Sequence, residues 1–137
     1  MGPSRRNPTD APCVLIVDDD YDARRMYSEY LRIKGWTAFT AGDGRSGIDK
    51  AMELVPSAIV LDLSMPRVDG WTVLEHLRES SWTSAIPVVV VSALEERDRA
   101  LQCGCDAYLS KPCAPEVLWL QIRALLRLQA NGRTAQV

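Results

Sequence analysis

Three aspartates carry the most pointed chemistry in the sequence. Asp18 and Asp19 follow the apolar run Val14 to Val17, and Asp62 follows a second run inside "IVLDLSMPRVDG". Carboxylates brought close together raise one another's pKa unless a cation intervenes. The cation such a set suits is hard and oxygen-seeking. Mg²⁺ is the natural choice, because it takes one or two carboxylates together with waters and phosphate oxygens. An aspartate can also attack a phosphoryl group and become an aspartyl phosphate. Asp62 is the candidate nucleophile, since the chain turns after it through Pro66 and Gly70 and leaves its side chain at a strand end. Lys111 could then pair with phosphoryl oxygens as a compact point charge, while the Ser92 hydroxyl donates to another oxygen. Asp20 is the better N-cap for the helix that follows, which leaves Asp18 and Asp19 for the metal.

The elements that must position these groups can be read from the apolar spacing. Val14 to Val17, Ile59 to Leu61 and Val88 to Val91 are continuous rather than alternating, as expected of strands buried on both faces of a parallel sheet. Between them, Ala23, Met26, Tyr27, Tyr30 and Leu31 follow helical spacing up to Gly35. A short strand over 36–41 precedes a helix over 45–54, ended by Pro56, and Asp69-Gly70 opens a third helix carrying Trp71, Leu74 and Leu77. Residues 95–103 are mostly charged, with Ala100 and Leu101 as almost the only apolar anchors, and a strand over 107–110 leads to a helix over 115–128 that Pro115 starts. Five strands alternating with five helices imply an α/β, doubly wound parallel sheet covered on both faces. In such sheets ligands bind outside the carboxyl ends of the strands, which is where Asp18, Asp19, Asp62, Ser92 and Lys111 all fall.

Composition sets the limits. A chain of 137 residues with 47% hydrophobic content fits one domain, here 13–128, between a flexible leader over 1–12 and a flexible tail over 129–137. The net charge of -2 gives no global field for nucleic acid or anionic membrane, and the apolar runs are too short to cross a bilayer. Arg5-Arg6 is followed by polar residues rather than an export segment, so a cytoplasmic protein is expected. Cys13, Cys103, Cys105 and Cys113 then read as free thiols, with no CxxC pair to hold zinc, and the lone His76 is assigned no role.

The ordered set of Asp18-Asp19, "LDLSMPRVDG" around Asp62, "VVVVSA" with Ser92, Tyr108, and Lys111-Pro112 resembles the receiver domain of two-component response regulators. The resemblance implies a flavodoxin-like fold with strand order 2-1-3-4-5 and a cis peptide before Pro112. It implies that Asp62 accepts phosphate from a histidine kinase or a histidine phosphotransfer protein. By the same resemblance, Asp18, Asp19, Asp62 and the Ser64 backbone carbonyl hold Mg²⁺, and Ser92 and Tyr108 form a switch pair. Beyond self-phosphorylation from small donors and slow self-dephosphorylation, no enzyme activity is expected. Three features depart from the commonest pattern: Cys113 stands where a bulky aromatic usually follows Lys-Pro, Ala114 is a poor N-cap, and Ser64 and Leu94 occupy the variable positions flanking the acyl phosphate.

The final helix carries more apolar residues than one face can bury, and these, Trp119 among them, are expected on the surface formed by the fourth helix, fifth strand and fifth helix. That surface is expected to bind a downstream protein or to form a homodimer. No basic recognition helix is visible, so neither direct nucleic-acid contact nor a membrane partner is expected, whether the chain is a stand-alone receiver or was cut from a longer protein. The alternatives are an unphosphorylated receiver-like scaffold and a passive phosphate sink. A haloacid dehalogenase type of phosphohydrolase is set aside, since Ser64 stands where that chemistry needs an acid.

Overall fold

The strands are β1 (Cys13–Val17), β2 (Thr37–Ala41), β3 (Ala58–Leu61), β4 (Val88–Ser92) and β5 (Ala107–Ser110), in the order β2-β1-β3-β4-β5 with every pairing parallel. The helices are α1 (Tyr21–Ile33), α2 (Gly44–Leu54), α3 (Gly70–Glu79), α4 (Arg97–Gln102) and α5 (Pro115–Ala135). The computed structural model describes residues 10–135. The doubly wound sheet read from the continuous apolar strands, and the order implied by the resemblance, are both present.

The lack of alternation has a direct cause. Leu15, Val17, Ile59, Leu61, Val88 and Val90 pack with α2, α3 and α4 through Ile48, Leu74 and Ala100. Val14, Ile16, Val60, Val89 and Val91 face the other way, onto Ala23, Tyr27 and Leu31 of α1 and Leu118 and Ile122 of α5. Successive side chains therefore enter two separate apolar layers, and neither face of the central strands has a use for polar residues.

Three aspartates start three helices. Asp20, Asp43 and Asp69 accept hydrogen bonds from the N–H groups of Asp22, Ser46 and Thr72 at 3.0, 2.8 and 2.9 Å, satisfying donors that the first helical turn leaves unpaired. Gly35 follows α1 with φ of 86°, a backbone conformation that strains any residue with a Cβ. Helix α4 differs from these: it spans 6 residues, and its N-cap Glu96 makes no side-chain cap. Of its two expected anchors only Ala100 is buried, while Leu101 is 38% exposed.

Two expectations for the last helix change. Helix α5 runs on to Ala135 instead of stopping at Leu128, and the Gln129 side chain donates to the Ala85 carbonyl at 3.1 Å. Trp119 does not belong to the surface with α4. It packs on α1, with ring centroids 6.5 Å from Tyr30 and 6.4 Å from Trp36, and with Lys34 and Arg123 over its ring. Val117, Leu120 and Leu128 are large apolar residues exposed on α5. Of the expected leader, residues 1–9 lie outside the described residues, and the Pro12 carbonyl accepts from the Thr37 N–H. Of the expected tail, residues 136–137 also lie outside them. No helix among the described residues is long and apolar enough to cross a membrane.

Candidate functional site

The sheet register assembles the rim. Val17 is paired with Leu61, so the next residues, Asp18 and Asp62, leave adjacent strands side by side. The Asp62 N–H donates to the Val17 carbonyl at 3.0 Å, and the Asp18 N–H to the Ala41 carbonyl at 3.1 Å, extending the ladder one step past the strands. Ser92 is paired with Ser110, and the Lys111 N–H donates to the Ser92 carbonyl at 3.0 Å, which brings the lysine to the same end.

Asp18 and Asp62 are 3% and 6% exposed and share one pattern of contacts. Oδ1 of each accepts the N–H two residues on, from Asp20 at 2.9 Å and from Ser64 at 3.0 Å. Oδ2 of each faces the Lys111 ammonium, at 2.9 Å for Asp18 and 3.2 Å for Asp62. Burial raises the pKa of Asp18 above the ordinary carboxylate value, with the Asp20 N–H and Lys111 opposing it. Burial alone would lower Lys111, but its hydrogen bond to Asp18 and the charges of Asp18 and Asp62 hold it above its ordinary value.

Carboxylate oxygens of Asp18, Asp19 and Asp62 lie within 4.8 Å of one another, with Asp19 exposed at the rim. An all-oxygen set of this size, two members of it buried, fits a hard divalent cation. The structure thus brings together Asp18, Asp19, Asp62 and Lys111 as expected. Ser64 adjoins them through its N–H on Asp62.

Ser92 is fully buried, and its Oγ accepts the Leu94 N–H at 3.2 Å. Tyr108 is 5% exposed and holds the start of α4 twice. Its hydroxyl accepts the Glu96 N–H at 3.5 Å, and its carbonyl accepts from Arg97 Nη1 at 3.0 Å. His76 is exposed on α3, and of the four cysteines Cys103 is exposed and the rest are buried.

Sequence reading missed several supporting residues. Arg24 Nη1 donates to the Asp18 carbonyl at 2.8 Å, and the Tyr27 hydroxyl donates to the Cys113 carbonyl at 2.8 Å. The Arg99 guanidinium stacks 4.0 Å from the centre of the Trp71 ring, tying α4 to α3. The Tyr27 and Arg99 contacts do not follow from spacing, because each joins elements far apart in the chain, and the Arg24 contact, six residues from its partner, depends on the turn into α1. Gly70 did carry a signal. A Cβ there would lie 2.2 Å from the Asp62 carbonyl oxygen and 2.4 Å from Leu63 Cα, so α3 starts directly against the backbone of the candidate nucleophile.

A family model described as "Response regulator receiver domain" matches residues 14–123. The DNA-binding dual master transcriptional regulator RpaA of Synechocystis is 39% identical over 119 residues, covering 85% of this chain and 49% of that protein. Transcriptional regulatory protein PrrA of Mycobacterium tuberculosis is 38% identical over 128 residues, covering 91% of this chain and 54% of that one. Among solved structures, chemotaxis response regulator CheY4 of Vibrio cholerae superposes with a TM-score of 0.79 at 28% identity, over 84% of this chain and 98% of CheY4. The Francisella response regulator 1452 receiver domain gives 0.79 at 28%, over 85% and 97%.

The chain spans about half the length of the curated relatives it matches. This corrects the expectation of no direct nucleic-acid partner. RpaA is named as DNA-binding and PrrA as a transcriptional regulator, whereas that expectation rested on the lack of a recognition helix in residues that match only half of such proteins.

Proposed function

The chain belongs to the response regulator receiver domain family of two-component systems, and from that premise we propose that Asp62 accepts a phosphoryl group from a histidine kinase or a histidine phosphotransfer protein. The observation that carries this reading is the placement of Asp62: nearly buried, in reach of Asp18 and Asp19, with Lys111 at 3.2 Å. An Asp62 carboxylate oxygen attacks phosphorus, the new O–P bond forms as the N–P bond of the phosphohistidine breaks, and the leaving imidazole takes up a proton from solvent. Asp18, Asp19, Asp62 and the Ser64 carbonyl would hold Mg²⁺, which would supply charge neutralisation for the carboxylates and the incoming phosphoryl oxygens.

The chain's own groups do the rest. The Ser64 N–H orients the Asp62 carboxylate through Oδ1. The Lys111 ammonium, already placed between two carboxylates, turns to the phosphoryl oxygens. The Ser92 hydroxyl uses its Oγ as an acceptor for Leu94 and so keeps its proton free for a phosphoryl oxygen. Attack by water later breaks the O–P bond and releases inorganic phosphate, which makes the domain a signalling module with slow self-dephosphorylation rather than a turnover enzyme.

A donor reaches Asp62 beside the start of α1, where a cleft of about 840 Å³ is lined by Met26, Tyr27, Lys111 and Cys113 among others. Output is regulation of transcription in the cytoplasm, by analogy with RpaA and PrrA, with the shift of Ser92 and Tyr108 passing the signal to α4. Intact mass after incubation with acetyl phosphate and Mg²⁺ tests the reading. One added phosphoryl group is expected on the wild type and none on Asp62→Asn, and equal labelling of the two would remove Asp62 as acceptor.

A further inference from the structure

We propose that Tyr27 is the positioning residue for Lys111, holding from α1 the segment that aims the ammonium at Asp18 and Asp62. The inference rests on the role given to Lys111 above. Upstream, the segment is pinned where the Lys111 N–H meets the Ser92 carbonyl at 3.0 Å. Downstream, Pro112 has no N–H to offer, and Ala114 has no side-chain oxygen with which to cap α5. The Ala114 carbonyl accepts from the Val117 and Leu118 N–H groups of α5, and a tie to a distant element is the Tyr27 hydroxyl on the Cys113 carbonyl, 2.8 Å long, buried, and spanning 86 positions of sequence.

Tyr27 is built for that task. It is 3% exposed, and its ring packs in the same apolar layer as Cys113 and Leu118. Burial pushes its phenol up to about 12, so it remains a donor at any ordinary pH. Cys113 is a small residue and brings no aromatic wedge to the segment. Here the aromatic mass comes from α1 instead, with a hydroxyl at its tip that a phenylalanine in the loop could not supply.

Tyr27→Phe keeps the ring and deletes the tie, so the test is a double-mutant cycle with Lys111→Ala, following acyl phosphate formation from acetyl phosphate and Mg²⁺ by intact mass. Loss of one hydrogen bond should slow the wild type roughly fivefold. In the Lys111→Ala background the same change should cost less than about twofold, because the group it positions is gone. Equal slowing in both backgrounds, or none in the first, overturns the proposal. The side-chain ammonium resonances give a second readout that needs no phosphoryl transfer: Tyr27→Phe should move Lys111 and leave Lys34 and Lys50 in place. If the wild type takes up no phosphate, the acceptor reading fails, and the Lys111 resonance alone decides for or against Tyr27.

Discussion

Lys111 and Asp18, 93 positions apart in the chain, meet at 2.9 Å across the carboxyl rim, with the lysine serving as counter-ion to a buried carboxylate. A divalent cation on the same carboxylates feels that ammonium as a like charge. Lys111→Ala should therefore bind Mg²⁺ more tightly, roughly three- to tenfold, while forming acyl phosphate more slowly. Asp19→Ala should shift affinity the other way and lose most of the rise in melting temperature that Mg²⁺ gives the wild type. Calorimetric titration with Mg²⁺ checks both signs, and weaker binding by Lys111→Ala would show that the lysine helps hold the cation.

Gly70 lies so close to the Asp62 backbone that no side chain fits. The three nearest atoms that an added methyl would meet are all main chain, on Asp62 and Leu63, so relief requires moving either α3 or the end of β3. Gly70→Ala should lose about 2–3 kcal/mol of stability, near the upper end for overpacking, and label poorly with acetyl phosphate. Urea unfolding and intact mass measure the two effects. A variant as stable as the wild type would mean that the strand end yields easily.

Alkaline conditions should weaken the fold in a defined window. Burial pushes the Cys105 thiol from 9.0 up to about 11. Between these values the unfolded chain gives up a proton that the folded chain keeps, so stability falls as pH rises, whereas below 9 the group contributes no slope. Tyr27, raised from 10.0 to about 12, extends the decline upward. Urea midpoints across this range should drop for the wild type and drop less for Cys105→Ala; identical slopes would assign the decline elsewhere. At neutral pH the same burial predicts that Cys103, the exposed thiol, reacts first with a thiol reagent.

The signal to α4 should be visible at Trp71. This ring carries Arg99 of α4 at 4.0 Å, and Tyr108 holds the preceding Glu96 and Arg97, so movement of α4 must disturb that stack. Beryllofluoride, a stable mimic of the acyl phosphate, should change the tryptophan emission of the wild type, of Trp119→Phe, and much less of Trp71→Phe or Ser92→Ala. Were the change to vanish with Trp119 instead, the movement would lie along α1 and α5.

Much of the fold was legible because parallel strands buried on both faces leave so plain a mark: Val14 to Val17 and Val88 to Val91 contain no polar residue at all. The rim was legible for the same reason, since the residues just past such strands must lie at one end of the sheet. The direction of Trp119 was not, because it depends on which helix neighbours α5, and strand order rather than local pattern decides that. Nor was the extent of α5. Gln129 and the residues after it are polar enough to read as tail, yet they are adequate helix formers, and a side-chain contact with Ala85 supports that turn. The Arg99 contact on Trp71 was invisible because its partner comes from another helix, and that of Arg24 on the Asp18 carbonyl because it depends on the turn between them.

The two apolar layers on either side of the sheet set who can occupy the molecule at the same time. Tyr27 and Leu118 belong to one layer, and Tyr108 and Ala100 to the other, with the strands between them. A phosphate donor seated beside α1 and a reader gripping α4, as proposed above, would therefore stand on opposite banks and need not evict each other. On the proposed function, the order in which they arrive and leave would be governed by the bond on Asp62 rather than by competition for shared ground.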